Sequence, residues 1–403
     1  MGMKIVVAPD SFKGVLSAAE AASAISAGLK DALPDVGCIE VPVADGGEGT
    51  AAALASACGA VRVVADSLSP LGMPMESEFF SNPADRTAFI DLAAASGLPL
   101  VAPEKRNPLH TSTFGTGILI RAAINRGARR IVVGVGGSAT VDAGIGALQA
   151  LGAKFLDETG SFVDSPACGA DVERIRDVDA SGLKELLSGV EVKLAADVTA
   201  PFTGHMGAAR VFAPQKGADA EATERLEKAL VHFRELLLKL GFIDVFSLPG
   251  SGAAGGFAGG MASVAGAEIV SGSDLVIESV RLAEALQTAD FLITGEGKSD
   301  RQTLMNKAPF AAMREAHRSG DLKPQDGTSP FYRSKKQDKA MQGNVPVILM
   351  SGVIEDREEL VAAGFAETIC INDGCSSLEN PLDSAVAARR LRLAARTFLM
   401  TKC

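Results

Sequence analysis

The sequence predicts an α/β fold with two domains: a parallel-sheet, Rossmann-like domain built from both chain ends, and an inserted α+β domain. Three observations predict it. Short apolar strands alternate with helical stretches near both ends of the chain, and the middle of the chain interrupts this alternation. The length of 403 residues is also sufficient for two or three domains.

The N-terminal segment predicts a strand, a turn and a helix. Lys4–Ala8 is a short apolar run rich in β-branched residues, and apolar residues then recur at helical spacing between Ala18 and Leu33. Cys38–Val43 predicts a second strand, and a further helix follows from Thr50. Strands that alternate with helices in this way are typical of a parallel sheet flanked by helices.

The last third of the chain repeats this pattern. Apolar runs predict strands at Phe291–Thr294, Val345–Ser351 and Glu367–Ile371, and helices at Asp356–Ala363 and Asp383–Lys402. We therefore assign residues 1–66 and 286–403 to one domain, in which both chain ends share a sheet.

Residues 67–285 have a different pattern. Strand-like pieces lie close together, separated by short turns, at Glu76–Phe80, Thr87–Leu92 and Lys154–Val163. A strand–loop–helix unit follows at Ile131–Leu151, and a long amphipathic helix is predicted at Ala218–Leu240. This mixture predicts an inserted α+β domain. We expect the functional site in the cleft between the two domains.

Charge and hydropathy exclude several classes of protein. The formal net charge of −10 argues against nucleic acid or an anionic membrane as a partner. The longest uncharged run, Val245–Ala267, is too rich in glycine for a membrane span, and the N-terminus lacks the apolar region of a signal peptide. We therefore expect a cytoplasmic protein that binds small molecules. The oligomeric state is left open.

Glycine is enriched, with 43 residues in the chain, which is about 11% against a usual ~7%. Much of the excess lies in turns beside predicted strands. Glycine lets backbone N–H groups approach an anion closely, so several such turns together predict a phosphorylated ligand, although each one alone is also consistent with a simple tight turn. The candidate cofactor-binding residues in these turns are Gly136, Gly137, Ser138, Gly252, Gly255 and Gly256.

Two of these turns also match the spelling of a dinucleotide-binding loop. They are Gly250-x-Gly252-x-x-Gly255 and Gly134-x-Gly136-x-x-Ala139. The first lacks a clear preceding strand, and the second leads into a loose helix start. An NAD(P)-dependent dehydrogenase of a small hydroxy acid is therefore the alternative function.

Carboxylates and lysines accompany the glycine turns. A kinase needs carboxylates to hold Mg²⁺ on its nucleotide and a carboxylate to orient or deprotonate the accepting hydroxyl. Asp197 ends the apolar run Val192–Ala196 and is our candidate for the hydroxyl. For each acid, a helix cap or a turn contact is an equally good explanation.

The remaining assignments follow from the same inventory. The candidate catalytic residues are Asp197, Lys13, Asp45 and Glu48, the candidate metal ligands are Asp45, Glu48 and Glu296, and Glu296 and Asp300 join the cofactor-binding set. Lys216, Lys298 and Lys307 lie alongside and can balance phosphate or carboxylate charge. Lys13 follows the first predicted strand, where a parallel sheet gathers its ligands.

Several longer sequence words occur in a characteristic order. They are Pro9-Asp10-Ser11-Phe12-Lys13-Gly14, Asp45-Gly46-Gly47-Glu48-Gly49-Thr50, Asp91-Leu92-Ala93-Ala94-Ala95-Ser96-Gly97-Leu98, Gly136-Gly137-Ser138-Ala139-Thr140, Gln215-Lys216-Gly217-Ala218, Gly252-Ala253-Ala254-Gly255-Gly256 and Gly295-Glu296-Gly297-x-x-Asp300-x-Gln302-Thr303. Over about residues 3 to 400, the chain resembles the type 1 glycerate kinase family.

The resemblance implies a two-domain α/β enzyme that phosphorylates D-glycerate with ATP and Mg²⁺, with 2-phosphoglycerate as the favoured product. Val141, Ala143, Ala200 and Lys298 depart from the family pattern, so no polar contact is carried over to them. The charged stretch Arg318–Asn344 is longer than the family pattern. It is either a solvated insertion or a mobile lid, and we favour the solvated insertion.

Overall fold

The computed structural model describes residues 2–12, 14–44, 49–321, 345–373 and 379–402, and these form an α/β protein, as predicted. The strands are β1 (Lys4–Val7), β2 (Gly37–Glu40), β3 (Val61–Leu68), β4 (Pro74–Asn82), β5 (Thr87–Asp91), β6 (Arg130–Gly134), β7 (Lys154–Leu156), β8 (Asp177–Asp179), β9 (Glu191–Ala195), β10 (Glu268–Val270), β11 (Phe291–Thr294), β12 (Lys298–Ser299), β13 (Val347–Ser351), β14 (Val353–Ile354) and β15 (Glu367–Cys370).

The α-helices are α1 (Ala18–Ala32), α2 (Thr50–Cys58), α3 (Ala93–Ser96), α4 (Phe114–Asn125), α5 (Ile145–Ala150), α6 (Ser181–Leu186), α7 (Ala208–Phe212), α8 (Ala220–Lys239), α9 (Phe257–Ala265), α10 (Gly272–Ser279), α11 (Leu282–Leu286), α12 (Ala308–Asp321), α13 (Arg357–Ala363) and α14 (Ser384–Met400). Within the ranges given above, no helix is long and apolar enough to cross a membrane.

The first compact unit combines both chain ends, Met1–Asp45 and Ser273–Cys403. Its main sheet has five strands, all parallel, in the order β15-β13-β11-β1-β2. Ile5 is opposite Phe291, so β1 pairs directly with a strand from the other end of the chain. The prediction that both ends share one sheet is therefore confirmed. The inner strands are apolar and buried because helices cover both faces of a parallel sheet.

Two helices pack closely on this sheet. Ser17 and Glu20 form a capping box that starts α1. A Cβ on Gly28 would collide with the backbone of Arg392, so glycine is required where α1 meets α14. Ile25 and Leu391, on these two helices, are fully buried in the core of the unit. The two helices therefore pack against each other over the core that includes Ile5 and Ile293 of the sheet.

The second unit is contiguous, Gly46–Gly272, and contains a mixed six-stranded sheet in the order β10-β9-β6-β5-β4-β3. The pairs β3–β4 and β4–β5 are antiparallel, whereas β5, β6, β9 and β10 are parallel. Its core includes side chains from α4, α5, α8 and α9, such as Leu119, Leu148, Phe233 and Phe257. The combination of a mixed sheet with packed helices agrees with the predicted α+β character of this part of the chain.

The units divide at residues 45/46 and 272/273, not at the predicted 66/67 and 285/286. The strand β3 belongs with the second unit because it pairs with β4 along its whole length, from Val61 to Leu68. The start of α2 is held there by Asp91, which accepts hydrogen bonds from the backbone N–H groups of Gly49 and Ala51. At the other end, α11 packs against α12 and therefore belongs with the first unit.

The predicted strand-like piece at Lys154–Val163 is a continuous strand only at Lys154–Leu156, β7, which pairs with β8. The rest of the segment folds back on β7, with an isolated antiparallel bridge between Leu156 and Phe162. Asp157 stabilises the turn between them, because its carboxylate accepts hydrogen bonds from the backbone of Thr159 and Ser161.

Candidate active site

The turn after β11 lies at the carboxyl edge of the parallel sheet. Thr294 donates from its hydroxyl to the carbonyl of Ala8 at 2.7 Å, and the N–H of Asp10 donates to the carbonyl of Gly295 at 2.8 Å. A Cβ on Gly295 would collide with the carbonyl oxygen of Met350 on β13. The turn is therefore fixed between the ends of β1 and β13.

Glu296 is the buried carboxylate of this turn. Its Oε1 accepts hydrogen bonds from the hydroxyls of Thr303 at 2.6 Å and Ser299 at 3.2 Å, and its Oε2 lies 3.5 Å from Nζ of Lys307. The hydroxyls of Ser299 and Ser351 are 2.7 Å apart, which links the carboxylate to the end of β13. A carboxylate held by several partners is oriented before any ligand arrives.

Asp300 lies in the same segment but makes mainly local contacts. Its Oδ1 accepts from the backbone N–H of Gln302 at 2.8 Å, and its Oδ2 lies 3.5 Å from Nζ of Lys298. Lys298 is also 3.0 Å from Glu355, whose hydrogen bond is the main cause that raises the pKa of this lysine. These contacts give Asp300 a role in shaping the turn.

A pocket of about 380 Å³ opens at this edge. Residues that follow β1, β11, β13 and β15 line it, and the start of α14 closes one side. Asn372, directly after β15, donates from its side-chain amide to the carbonyl of Gly352 at 2.7 Å and accepts from Arg390 at 2.5 Å. The carboxyl edge of a parallel sheet is where open α/β proteins bind their ligands.

The second unit brings together another set of predicted residues after β6. Gly136, Gly137 and Ser138 form the loop that follows this strand, and Gly137 has a φ of +70°. Ser138 is buried and lies 2.7 Å from Nζ of Lys216, which also donates to the carbonyl of Thr140 at 2.7 Å. Burial lowers the pKa of Lys216 to about 7. Lys216 therefore anchors this loop at Ser138 and at Thr140.

Asp142 lies just beyond this loop and is fully buried. Its carboxylate accepts hydrogen bonds from the N–H and hydroxyl of Thr113, at 2.8 and 2.7 Å, and from the N–H of Gly144 at 3.1 Å. Burial raises its pKa, whereas these hydrogen bonds oppose the shift. These contacts satisfy backbone N–H groups at the starts of two helices, α4 and α5. Asp142 therefore has a structural role.

The glycines of the third turn have a packing requirement of their own. A Cβ on Gly252 would collide with the carbonyl of Pro201, and one on Gly255 would collide with the carbonyl of Thr140. Gly256 has a φ of +84° directly before α9. Close backbone contact and backbone conformation are therefore sufficient reasons for these glycines, and their assignment to a nucleotide stays a prediction.

Asp197 follows β9, which is the neighbour of β6 in the sheet. Its Oδ1 accepts hydrogen bonds from the hydroxyl of Ser271 and the N–H of Gly272, both at 3.0 Å. Because β6 and β9 are parallel, Asp197 and the loop at Ser138 follow strands that end at the same edge of the sheet.

The described residues do not include every predicted site residue. Lys13, Asp45 and Glu48 lie outside the described residues, as does most of Arg318–Asn344. Among the residues that the structure describes, no three His, Cys, Asp or Glu side chains form a group that could hold a metal ion. Glu296 is the one predicted metal ligand whose surroundings can be described.

Two lysines of the site are missing from the predicted site residues. The sequence predicts Lys216 and Lys307 only as residues that can balance phosphate or carboxylate charge. Lys216 occurs in one of the words that carry the family resemblance, and Thr303, a partner of Glu296, occurs in another. Those sequence motifs are the signal that could have identified Lys216 and Thr303, whereas Lys307 lies outside them.

Comparisons with known proteins identify the family of this chain. The model of the glycerate kinase family matches residues 5–322. The glycerate 2-kinase of Escherichia coli K12 is 43% identical over 308 residues, which cover 76% of this chain and 80% of that protein. The glycerate kinase of Bacillus subtilis 168 is 44% identical over 314 residues, which cover 78% of this chain and 82% of that protein.

A solved structure is similar over the full length. It is a protein from Salmonella typhimurium LT2, provisionally named glycerate kinase 2, with 37% identity and a TM-score of 0.80. The match covers 100% of this chain and 98% of the Salmonella chain. On the family match, these identities and this coverage, the chain belongs to the glycerate kinase family.

Proposed function

We propose that this kinase transfers the γ-phosphoryl group of ATP to the 2-hydroxyl of D-glycerate. The observation that carries the proposal is the Glu296 carboxylate, held beside Lys307 at the carboxyl edge of a parallel sheet, because phosphoryl transfer needs fixed charges of both signs around the transferred group. The relatives named glycerate kinase support the choice of acceptor, and the Escherichia coli relative named glycerate 2-kinase supports the position.

The reaction forms a bond from a glycerate hydroxyl oxygen to the γ-phosphorus as the bond to the β–γ bridging oxygen breaks. The hydroxyl proton passes to a base, and the products are ADP and 2-phosphoglycerate. We assign the base to Asp197, whose Oδ1 is oriented by Ser271 and Gly272. Lys307 neutralises phosphate charge, because an ammonium contacts phosphate as a point charge.

Mg²⁺ is the proposed cofactor of the nucleotide. It usually binds through one or two carboxylates together with phosphate oxygens and waters, so a single buried carboxylate such as Glu296 is a suitable protein ligand. The ion would supply charge neutralisation at the phosphates. Asp45 and Glu48 complete the proposed metal set, Lys13 is proposed to contact phosphate, and the glycine turns with Ser138 and Asp300 are proposed to contact the nucleotide.

The test is turnover of the purified protein with D-glycerate, ATP and Mg²⁺, followed by ADP release, with the product identified by ³¹P NMR. We expect ADP release that requires both substrates, and a phosphorus signal from 2-phosphoglycerate. A folded sample that releases no ADP above background would contradict the proposed activity, and 3-phosphoglycerate as the product would contradict the assigned position.

The dehydrogenase alternative loses its structural basis. The Gly250–Gly255 turn lies between α8 and α9, and no strand directly precedes it within the described part of the chain. The loop after β6 reaches α5 only at Ile145, with Asp142 and Gly144 intervening. A dinucleotide loop joins a strand directly to a helix, so neither turn has the required arrangement.

A further inference from the structure

We propose that the pocket of about 380 Å³ in the first unit binds the nucleotide, with the base and sugar against its apolar wall and the phosphates towards Lys307. This inference rests on the proposed function, because it divides the two substrates of that reaction. It places the nucleotide, and not glycerate, at the carboxyl edge of the five-stranded sheet.

The wall of the pocket is mainly apolar. Phe12 and Val15 come from the segment after β1, and Ile371 directly follows β15. Leu382 lies just before α14, and Ala387 lies in its first turn. Phe12, Ile371 and Ala387 also belong to the buried core beneath, so this wall is a continuation of the core surface. A rigid apolar wall favours a ligand with a flat apolar face.

The two substrates differ in this property. Every carbon of glycerate carries oxygen, so the molecule has no extended apolar surface to bury. A purine base has two flat faces and polar groups at its edge, and it therefore gains from an apolar wall with few polar side chains. The volume of about 380 Å³ also lies within the range of roughly 300–1,000 Å³ that is usual for sites of larger small molecules.

Asn372 supplies a polar edge in this pocket. One N–H of its amide is used by the carbonyl of Gly352, and one lone pair of its oxygen is used by Arg390. An amide has two N–H donors and two acceptor lone pairs, so a donor and an acceptor remain for a ligand. The contact with Arg390, which is itself buried, fixes the orientation of the amide.

Lys307 supplies the cationic side. Its side chain is 25% exposed and lies 3.5 Å from Glu296, while an ammonium can donate three hydrogen bonds. It directly precedes α12, a helix whose first backbone N–H groups favour an anion. Charge and apolar surface therefore occur in one pocket, as a nucleotide requires.

A tryptophan reporter tests the assignment. The chain has no tryptophan, so Leu382→Trp would place a single fluorophore at the pocket, on a side chain that is 71% exposed and therefore tolerant of replacement. Phe162→Trp, at a position 64% exposed in the second unit, is the matched control. Each variant is titrated with ADP alone and with D-glycerate alone.

We expect a saturable change in the emission of Leu382→Trp with ADP, no change with D-glycerate, and no change with either ligand in Phe162→Trp. A response of Leu382→Trp to D-glycerate alone, or to neither ligand, overturns the assignment. Both variants are first checked for cooperative unfolding, so that an absent response is not a folding defect.

A second variant separates this inference from the proposed function. Val353→Phe adds bulk at a lining position that is 44% exposed, and we expect the KM for ATP to rise at least tenfold while the KM for D-glycerate changes less than twofold. Normal kinetics in this variant, with turnover in the parent protein, contradict the pocket assignment and leave the kinase activity standing. Absence of turnover in the parent contradicts the proposed function, and the ADP titration still decides the pocket.

Discussion

Lys216 donates to the hydroxyl of Ser138 at 2.7 Å across 78 residues of sequence. The same ammonium donates to the carbonyl of Thr140, and the lysine is only 3% exposed. A buried lysine without a strong ion pair is unusual, because burial penalises its charge. This contact holds the loop after β6 together with backbone hydrogen bonds from Leu98 to Gly137 and from Ala139 to Ser96.

Lys216→Met should destabilise the protein at pH 10, where the lysine of the folded parent is neutral, because it leaves two buried acceptors unsatisfied at about 1–3 kcal/mol each. The free energy of unfolding in urea measures this loss. Lys228→Met, on the exposed face of α8, is the control and should change stability by less than about 0.5 kcal/mol. Equal stability of the two variants would contradict the role of Lys216.

The stability of the protein should depend on pH through the same lysine. Burial lowers its pKa from 10.5 to about 7, so the unfolded chain binds the proton more tightly than the folded chain between these values. The free energy of unfolding should therefore rise with pH between 7 and 10.5, by roughly 1.4 kcal/mol per unit. Urea titrations at pH 7.5 and 9 should show this gain in the parent protein and its loss in Lys216→Met. The same slope in both proteins would assign the effect to other groups.

Glu296→Gln should lower kcat by about 100-fold or more, because the amide keeps the shape of the side chain and removes its charge. Steady-state turnover with D-glycerate and ATP measures the effect. The control is Glu227→Gln, a buried glutamate of the second unit whose Oε1 accepts from the N–H of Gly204. This control should keep its kcat, and a near-normal rate in Glu296→Gln would exclude Glu296 from the reaction.

Asp197→Asn should lower kcat by about 10²–10⁴-fold if this carboxylate accepts the hydroxyl proton. The KM for D-glycerate should change little, because Asn can still accept from Ser271 and Gly272 through its oxygen. Ser271→Ala, which removes one orienting hydrogen bond, should cost less than tenfold. A kcat of Asp197→Asn within twofold of the parent value would contradict the assignment of Asp197 as the base.

Gly295→Ala should destabilise the sheet edge by more than 2 kcal/mol, because its Cβ would collide with the carbonyl of Met350, and overpacking costs about 1–3 kcal/mol or more. Gly189→Ala provides the comparison. Gly189 has a φ of +69° and open space around its Cβ, so this variant meets only backbone strain of about 1–2 kcal/mol. Thermal unfolding of both should show the larger loss in Gly295→Ala, and the reverse order would contradict the packing argument.

The regular elements were predictable where the local pattern is strong. The strand at Phe291–Thr294 was predicted with its observed bounds, and α8 lies within the predicted Ala218–Leu240. The strand β3 was not predicted, because Val61–Leu68 lies at the sheet edge, where exposed polar residues interrupt its apolar pattern. Its pairing with β4 also moves the unit boundary.

The candidate site was only partly predictable, for a physical reason. Glycine turns and acids after strands can be read locally, and Glu296 was found in this way. The partners that give these residues their role are distant in sequence, as Ser138 is from Lys216, or carry no pattern, as with Asn372 and Arg390. Sequence words identify such residues only through resemblance to a family.

The interior position of β1 has a consequence for the order of folding. β1 lies between β2 and β11, and the Thr294 hydroxyl bonds the Ala8 carbonyl across 286 residues. On the ribosome, β1 therefore waits unpaired on one side until β11 has been synthesised, whereas the contiguous unit Gly46–Gly272 can fold as it emerges. Pairing strands so distant in sequence is slow, because the chain loses conformational entropy before any stabilising contact forms. The sheet edge that carries Glu296 is consequently assembled late, and a newly made chain should gain most of its backbone structure before it gains activity.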